Sequence, residues 1–340
     1  MRQDGGHSTT LVETVRHGVG DGGRRMTVAP QRFEDIFFIQ RNGLKLYARR
    51  YSALHASPDG ARRSPARPVL CLPGLTRNGR DFHEIALALS KGERARDVFT
   101  LDSRGRGLSQ YDADWRNYTV PAEMQDALDF MIARDLEGAA ILGTSRGGLI
   151  SMVMAAAQPG FLGPVILNDI GPVIERDGLA RIASYVGRTP IPRDWTEAAR
   201  MVRDMNEKTF TATPEDAWEP IARQLFNEKN GRPAPGYDPK LGQAFSGIDA
   251  PIPPLWAQFE ALKRVPVMVI RGINSDLLSE ATVETMRQRR ENPEFDSVRE
   301  MRKMLRRVEP TEAPSDKLAQ ALAKGDFETA AEEVEKLKEQ

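Results

Sequence analysis

Two hydrophobic rhythms divide the chain. Residues 33–39 and 43–51, with Asn42-Gly43 between them, read as a β-hairpin. From residue 68 onward, short stretches with apolar cores take over at 68–72, 97–102, 139–142, 163–171 and 265–272. Their length suits strands buried on both faces. Between them, residues 81–89, 121–134 and 149–157 place apolar side chains at helical spacing. Strand and helix alternating in this order predict an α/β fold: a mostly parallel, doubly wound sheet with helices on both faces.

The remaining segments follow different patterns. Residues 1–30 are rich in Gly, Arg and polar side chains with no apolar period, and are expected to form a disordered extension. Residues 55–67 are a Pro/Ser/Arg loop. About ninety residues, 173–262, separate the last two buried runs, too many for a plain crossover. They hold helical patterns at 177–186, 196–208 and 214–227 and fit an inserted helical lid. From Arg287 the chain becomes charge-dense, with a basic amphipathic stretch at 287–307 that reads as a solvated helix face. Ser315 caps a helix, Gly325-Asp326 turns, and 327–338 forms a second, giving a C-terminal helical hairpin. The expected organisation is an extension at 1–30, core at 31–172 and 263–310, lid at 173–262 and a charged helical tail at 311–340.

Composition narrows the function classes. The 340 residues carry 48 basic and 48 acidic side chains, so nothing favours nucleic acid or an anionic membrane as partner. Cys71 is the single cysteine, which excludes an internal disulfide framework and a cysteine-rich zinc site. No apolar run approaches a membrane span, and no apolar signal core stands at the N-terminus, so a cytoplasmic protein is expected. Gly105-Arg106-Gly107 lacks the third glycine and acidic follower of a dinucleotide fingerprint. No cofactor and no metal are expected; the expected partner is a small-molecule substrate or ligand.

The candidate chemistry lies at Gly143-Thr144-Ser145-Arg146-Gly147, where a buried run gives way to a helical one. A serine on a sharp strand-to-helix turn projects its hydroxyl into a cleft, and the flanking glycines avoid the clashes a tight turn brings. The next backbone N–H, at a helix N-terminus, suits an oxyanion.

These pieces resemble the α/β-hydrolase family, more narrowly its bacterial members with a helical lid, over about residues 32–289. Leu72-Pro73-Gly74-Leu75-Thr76 resembles the oxyanion turn, Asp102 to Gly107 the turn after the following strand, and Gly143 to Gly147 the nucleophile elbow. Asn168 to Pro172 resembles the passage into the lid, and Arg271-Gly272 with Ser275-Asp276 the turn that carries the acid. The resemblance implies Ser145 as nucleophile, forming an acyl-enzyme on a small ester, a lactone or a C–C bond beside a carbonyl. It implies backbone N–H groups of Leu75 and Arg146 as the oxyanion hole, and Asp276 as the acid, with Asp169 as rival. Arg146 is also a candidate for holding an anionic substrate; Arg77 and Asn78 read as turn residues.

One departure matters more than these matches. The family places a histidine after the acid, whereas His7, His17, His55 and His83 all precede Ser145. His83, on the helix after the oxyanion turn, is one candidate base. Glu312 is the other: residues 308–314 have the shape of the family's Gly-His-Ala-Pro turn, with Glu312 in the histidine slot. A glutamate near its ordinary pKa of about 4.3 is a poor base. The third explanation is a tail foreign to the core, and the charge-dense composition from Arg287 onward favours it. A hydrolase impaired in turnover and a non-catalytic hydrolase-fold protein binding a small ligand or a protein partner both stay open.

Overall fold

In the computed structural model, residues 12–15, 33–54, 66–207, 210–245 and 252–291 are described. The pattern predicts no element before residue 31, but Val12–Val15 forms strand β1, antiparallel to β2 (Glu34–Ile39). Val-Glu-Thr-Val is β-branched and alternating, and its pairing satisfies an edge that β2 would otherwise leave open. The predicted hairpin forms between β2 and β3 (Lys45–Tyr51), with Gly43 at φ +83° in its turn.

The buried runs become β4 (Val69–Leu72), β5 (Val98–Asp102), β6 (Ala140–Thr144), β7 (Val165–Asn168) and, later, β10 (Val267–Ile270). The sheet order is β1-β2-β3-β5-β4-β6-β7-β10; β5 through β10 are parallel neighbours and the first three strands antiparallel. Between the strands run α1 (His83–Leu89), α2 (Val120–Ala133) and α3 (Arg146–Ala157). Thr119 caps α2 through its hydroxyl on Ala122 N–H. The strand register aligns Leu72 with Gly143 and Gly143 with Leu167, so the turns after β4, β6 and β7 open side by side at one end of the sheet. Ligands bind at this carboxyl end in open α/β sheets.

The insertion after β7 contains α4 (Arg176–Tyr185), α5 (Trp195–Asn206) and α6 (Trp218–Leu225). It is not wholly helical. Asn227–Lys229 (β8) and Arg232–Ala234 (β9) pair across Asn230-Gly231, both at positive φ, as a two-residue hairpin turn requires. Finally α7 (Trp256–Ala261) packs on α3, so the last part of residues 173–262 belongs to the core layers and not to a lid. Backbone bonds fasten the hairpin side of the insertion to the turn after β5: Gly107 N–H donates to Gly236 at 2.7 Å and Asp238 N–H to Gly105 at 2.8 Å.

Two compact units divide the chain, Met1–Val283 and Glu284–Gln340. Helix α8 (Glu280–Glu291) contains the described part of the second, where Arg287 bonds Glu284 and Glu291 along the helix. The predicted helical hairpin and Glu312 lie outside the described residues. No helix among those described is long and apolar enough to cross a membrane.

Candidate active site

Ser145 occupies the turn between β6 and α3 at φ +49°, ψ −112°. For a residue with a β-carbon this conformation costs about 1–3 kcal/mol, and surrounding structure must hold it. Three close approaches do so. A β-carbon on Gly143 would lie 2.6 Å from the backbone of Gly147; one on Gly147 would overlap the carbonyl of Leu72; one on Gly148 would overlap Ile170. The glycines are therefore spaces into which the turn folds, and Gly143 and Gly147 have ordinary negative φ. Ser145 N–H donates to Asn168 O at 2.9 Å, and Asn168 Nδ2 donates to the Thr144 hydroxyl at 3.1 Å, stitching the elbow to β7. Among the described residues the Ser145 hydroxyl bonds to no side chain.

The turn after β4 lies against the elbow. A β-carbon on Gly74 would be 3.8 Å from Ser145 Cβ and 3.4 Å from Arg77 Cγ. Arg77 N–H donates to Gly74 O at 3.1 Å, which fixes the plane of the Gly74–Leu75 peptide. In a trans peptide the Leu75 N–H then points the opposite way from that bond. Leu75 O accepts from Arg106 Nε at 2.8 Å.

Arg106 belongs to a buried charge cluster. Its side chain and that of Glu123 are each 1 % exposed and meet at 2.8 Å. The other Glu123 oxygen receives Arg146 Nε at 2.5 Å. Arg146 Nη2 also donates to Tyr118 O at 3.0 Å, so this guanidinium faces α2 and not the cleft, contrary to a role in holding substrate. Burial alone would raise Glu123, but Arg106 and Arg146 more than reverse it and leave the carboxyl below its ordinary value. Beside this cluster, Arg104 makes a two-pronged contact with Asp126, both bonds 2.7 Å. Asp102 receives Gly79 N–H at 2.6 Å and Leu108 N–H at 2.8 Å.

The acid candidates are placed differently. Asp276 bonds Arg181 of α4 through both oxygens, at 2.5 and 2.8 Å, which holds its carboxyl below the ordinary value. A β-carbon on Gly178 would overlap Asp276 O, so α4 rests directly on this turn. Asp169, at φ +55° beside the elbow strand, accepts Gly272 N–H at 3.1 Å. His83 is the first residue of α1, and its Nδ1 lies 2.9 Å from the Tyr51 hydroxyl, with Phe33 stacked edge-on. Its imidazole is thus engaged with Tyr51 of β3 and with Phe33, and among the described residues it makes no hydrogen bond to Ser145. A cavity of about 250 Å³ adjoins the turn after β4, walled by Thr76, Arg77, Tyr185, Phe226 and Tyr237 among others; Ser145 is not in its wall. Among the described residues no group of three His, Cys, Asp or Glu side chains is placed to hold a metal.

Residues 69–307 match a family model described as "Alpha/beta hydrolase family". The chain belongs to the alpha/beta hydrolase family. It is 33% identical over 233 residues to a 3-hydroxybutyrate-oligomer hydrolase of Cupriavidus necator, covering 65% of this chain and 78% of that one. A lipase, LipV, of Mycobacterium tuberculosis is 30% identical over 157 residues, 46% of this chain and 52% of the relative. Among solved structures, an alpha/beta hydrolase from Novosphingobium aromaticivorans superposes with TM-score 0.68 at 34% identity, covering 76% of this chain and 87% of its own. The sheet order and the strand–serine–helix turn of this alpha/beta hydrolase agree with that membership.

The charge cluster around Glu123 and the cavity beside Arg77 escaped the sequence reading. Arg104-Gly-Arg106 hinted at the first, since two arginines in a Gly-rich turn after a buried strand need acidic partners. Nothing in the sequence marks Glu123 as that partner.

Proposed function

We propose that this protein is a carboxylic-ester hydrolase with Ser145 as nucleophile, acting on short hydroxy-acid esters of the kind named for the Cupriavidus relative. The observation that carries the reading is the strained backbone of Ser145 set against the Gly74 turn. The serine oxygen bonds to the ester carbonyl carbon, and the alcohol departs with a proton. Water then cleaves the acyl-enzyme, releasing the acid and restoring the hydroxyl. The N–H groups of Leu75 and Arg146 are the donors for the oxyanion. Turnover is slow, because no histidine follows Ser145 in these 340 residues to move the proton. Without a triad member, oxyanion hole and binding alone leave about 10³–10⁴ over the uncatalysed rate.

A fluorophosphonate probe tests this. The purified protein should label at Ser145, and the slow hydrolysis of p-nitrophenyl acetate should vanish in Ser145→Ala. The Arg181–Asp276 pair supports a second reading, a hydrolase-fold protein that binds a small ligand without turnover. That reading requires ligand-induced stabilisation with no labelling at Ser145.

A further inference from the structure

The wall of the cavity beside the oxyanion turn mixes two chemistries: apolar Ile191, Met205, Leu225 and Phe226, and polar residues that include Arg77 and Tyr185. Arg77 gives Nε and Nη2 to Asp81, both at 2.7 Å. Among the described residues its Nη1 has no hydrogen-bond partner, and the side chain keeps 29 % of its surface open. A guanidinium bound two-pronged to one carboxylate still offers donors on its far edge. Tyr185 stands near Arg77 and near Arg181, and burial holds its phenol above the usual value, so it stays a protonated donor at neutral pH. A cavity lined by apolar side chains together with a cationic and a phenolic donor has the chemistry of a site for a short carboxylate.

Its position gives that site a use. The Arg77 stem and the Ser145 side chain flank the same residue, Gly74. Leu75, Tyr185, Tyr237 and Leu277 pack in one cluster, so the wall of the cavity is continuous with the oxyanion turn. The volume of about 250 Å³ is below the 300–1,000 Å³ typical of drug-sized ligands and suits a short chain.

We propose that this cavity binds the free carboxylate of a short anionic ester on Arg77 Nη1, so that the protein selects hydroxy-acid esters with a free acid terminus over neutral esters. This deepens the reading of Ser145 as nucleophile and rests on it only for turnover; the binding itself does not need that hydroxyl.

The test separates the two. Ser145→Ala is titrated calorimetrically with hexanoate and with hexanamide, an uncharged analogue of equal length. Hexanoate should bind at least tenfold tighter, and Arg77→Gln should remove that preference while leaving hexanamide affinity unchanged. Because Arg77→Gln can disturb the turn, Asp81→Asn provides a second variant: freeing Arg77 from its competitor should tighten hexanoate severalfold. Equal binding of the two ligands, or a preference untouched in both variants, overturns the proposal. A hexanoate preference in a protein whose Ser145 never labels with fluorophosphonate keeps the site and refutes the hydrolase reading instead.

Discussion

Replacing Glu123 with glutamine should expose how the elbow is braced. Its carboxylate is 1 % exposed and bridges two cations, Arg106 at 2.8 Å and Arg146 at 2.5 Å. Glutamine keeps the shape but supplies one neutral acceptor, so Arg106, also 1 % exposed, is left as a buried charge without a counter-ion. Breaking a buried pair in this way costs about 3–5 kcal/mol. An exposed pair such as Arg223–Glu219 is worth at most about 1 kcal/mol. With an m-value of about 3 kcal/mol/M, the urea midpoint of Glu123→Gln should fall by roughly 1 M or more.

The pH dependence gives this prediction a sign. The folded carboxyl of Glu123 lies below its unfolded value, near the ordinary 4.5. Its contribution is therefore complete above about pH 4.5 and is lost as the pH falls through the folded value. Glutamine cannot titrate, so the gap between the parent protein and Glu123→Gln should be widest at pH 5–7 and narrow on acidification. Urea unfolding followed by tryptophan fluorescence measures both. A gap under about 1 kcal/mol, or one that widens toward pH 3, would refute the reasoning.

Three other outcomes follow from single contacts. Gly147→Ala forces a β-carbon onto the carbonyl of Leu72, a backbone atom that cannot swing away, so the variant should unfold several degrees earlier and lose labelling at Ser145. Ser145→Gly should be more stable than Ser145→Ala by about 1 kcal/mol in denaturant titration, since alanine keeps the β-carbon strained at φ +49° and glycine does not. Cys71 is fully buried in the core, which pushes its thiol well up, so it should resist Ellman's reagent in the native protein and react at once in urea.

The parallel sheet was legible because buried strands write continuous apolar runs, and each run found here pairs in the sheet. The elbow was legible for a related reason: Gly143 and Gly147 meet each other across four residues of one turn, a short-range constraint that leaves a motif, although Gly147 also meets the Leu72 carbonyl of the neighbouring strand. Long-range electrostatics leave none. Glu123 lies 17 residues from Arg106 and 23 from Arg146, and only the packing of α2 beside α3 brings the three together. The hairpin at Asn230-Gly231 carried the same dipeptide signal as Asn42-Gly43, but the strands around it are three residues long, too short to show alternation. The β1 strand failed for the same cause, four residues inside a polar segment.

The site's two sides are held by unequal forces, and this has a consequence for the missing base. The serine side rests on buried charges: Glu123 ties Arg146 at the start of α3 to Arg106, and Arg106 ties the carbonyl of Leu75. The side that carries Asp276 rests on Arg181–Asp276, with side chains 50 % and 38 % exposed, a pair worth at most about 1 kcal/mol after solvent screening. Asp276 therefore has a replaceable partner while the elbow does not. If Asp276 is the acid, Arg181 competes for the oxygens that would orient an imidazole. Arg181→Ala should leave stability within about 1 kcal/mol of the parent and make the protein more responsive to free imidazole added to the assay. The expected gain is of the order of tenfold in Ser145-dependent ester hydrolysis, a small part of the roughly 10²–10⁴ that a positioned base contributes. The same imidazole should do nothing for Arg181→Ala carrying Asp276→Asn, because the amide cannot balance an imidazolium. Equal rescue with and without Asp276 would show that the carboxylate takes no part, and would move the assignment to Asp169, whose oxygen sits beside the elbow strand on Gly272 N–H.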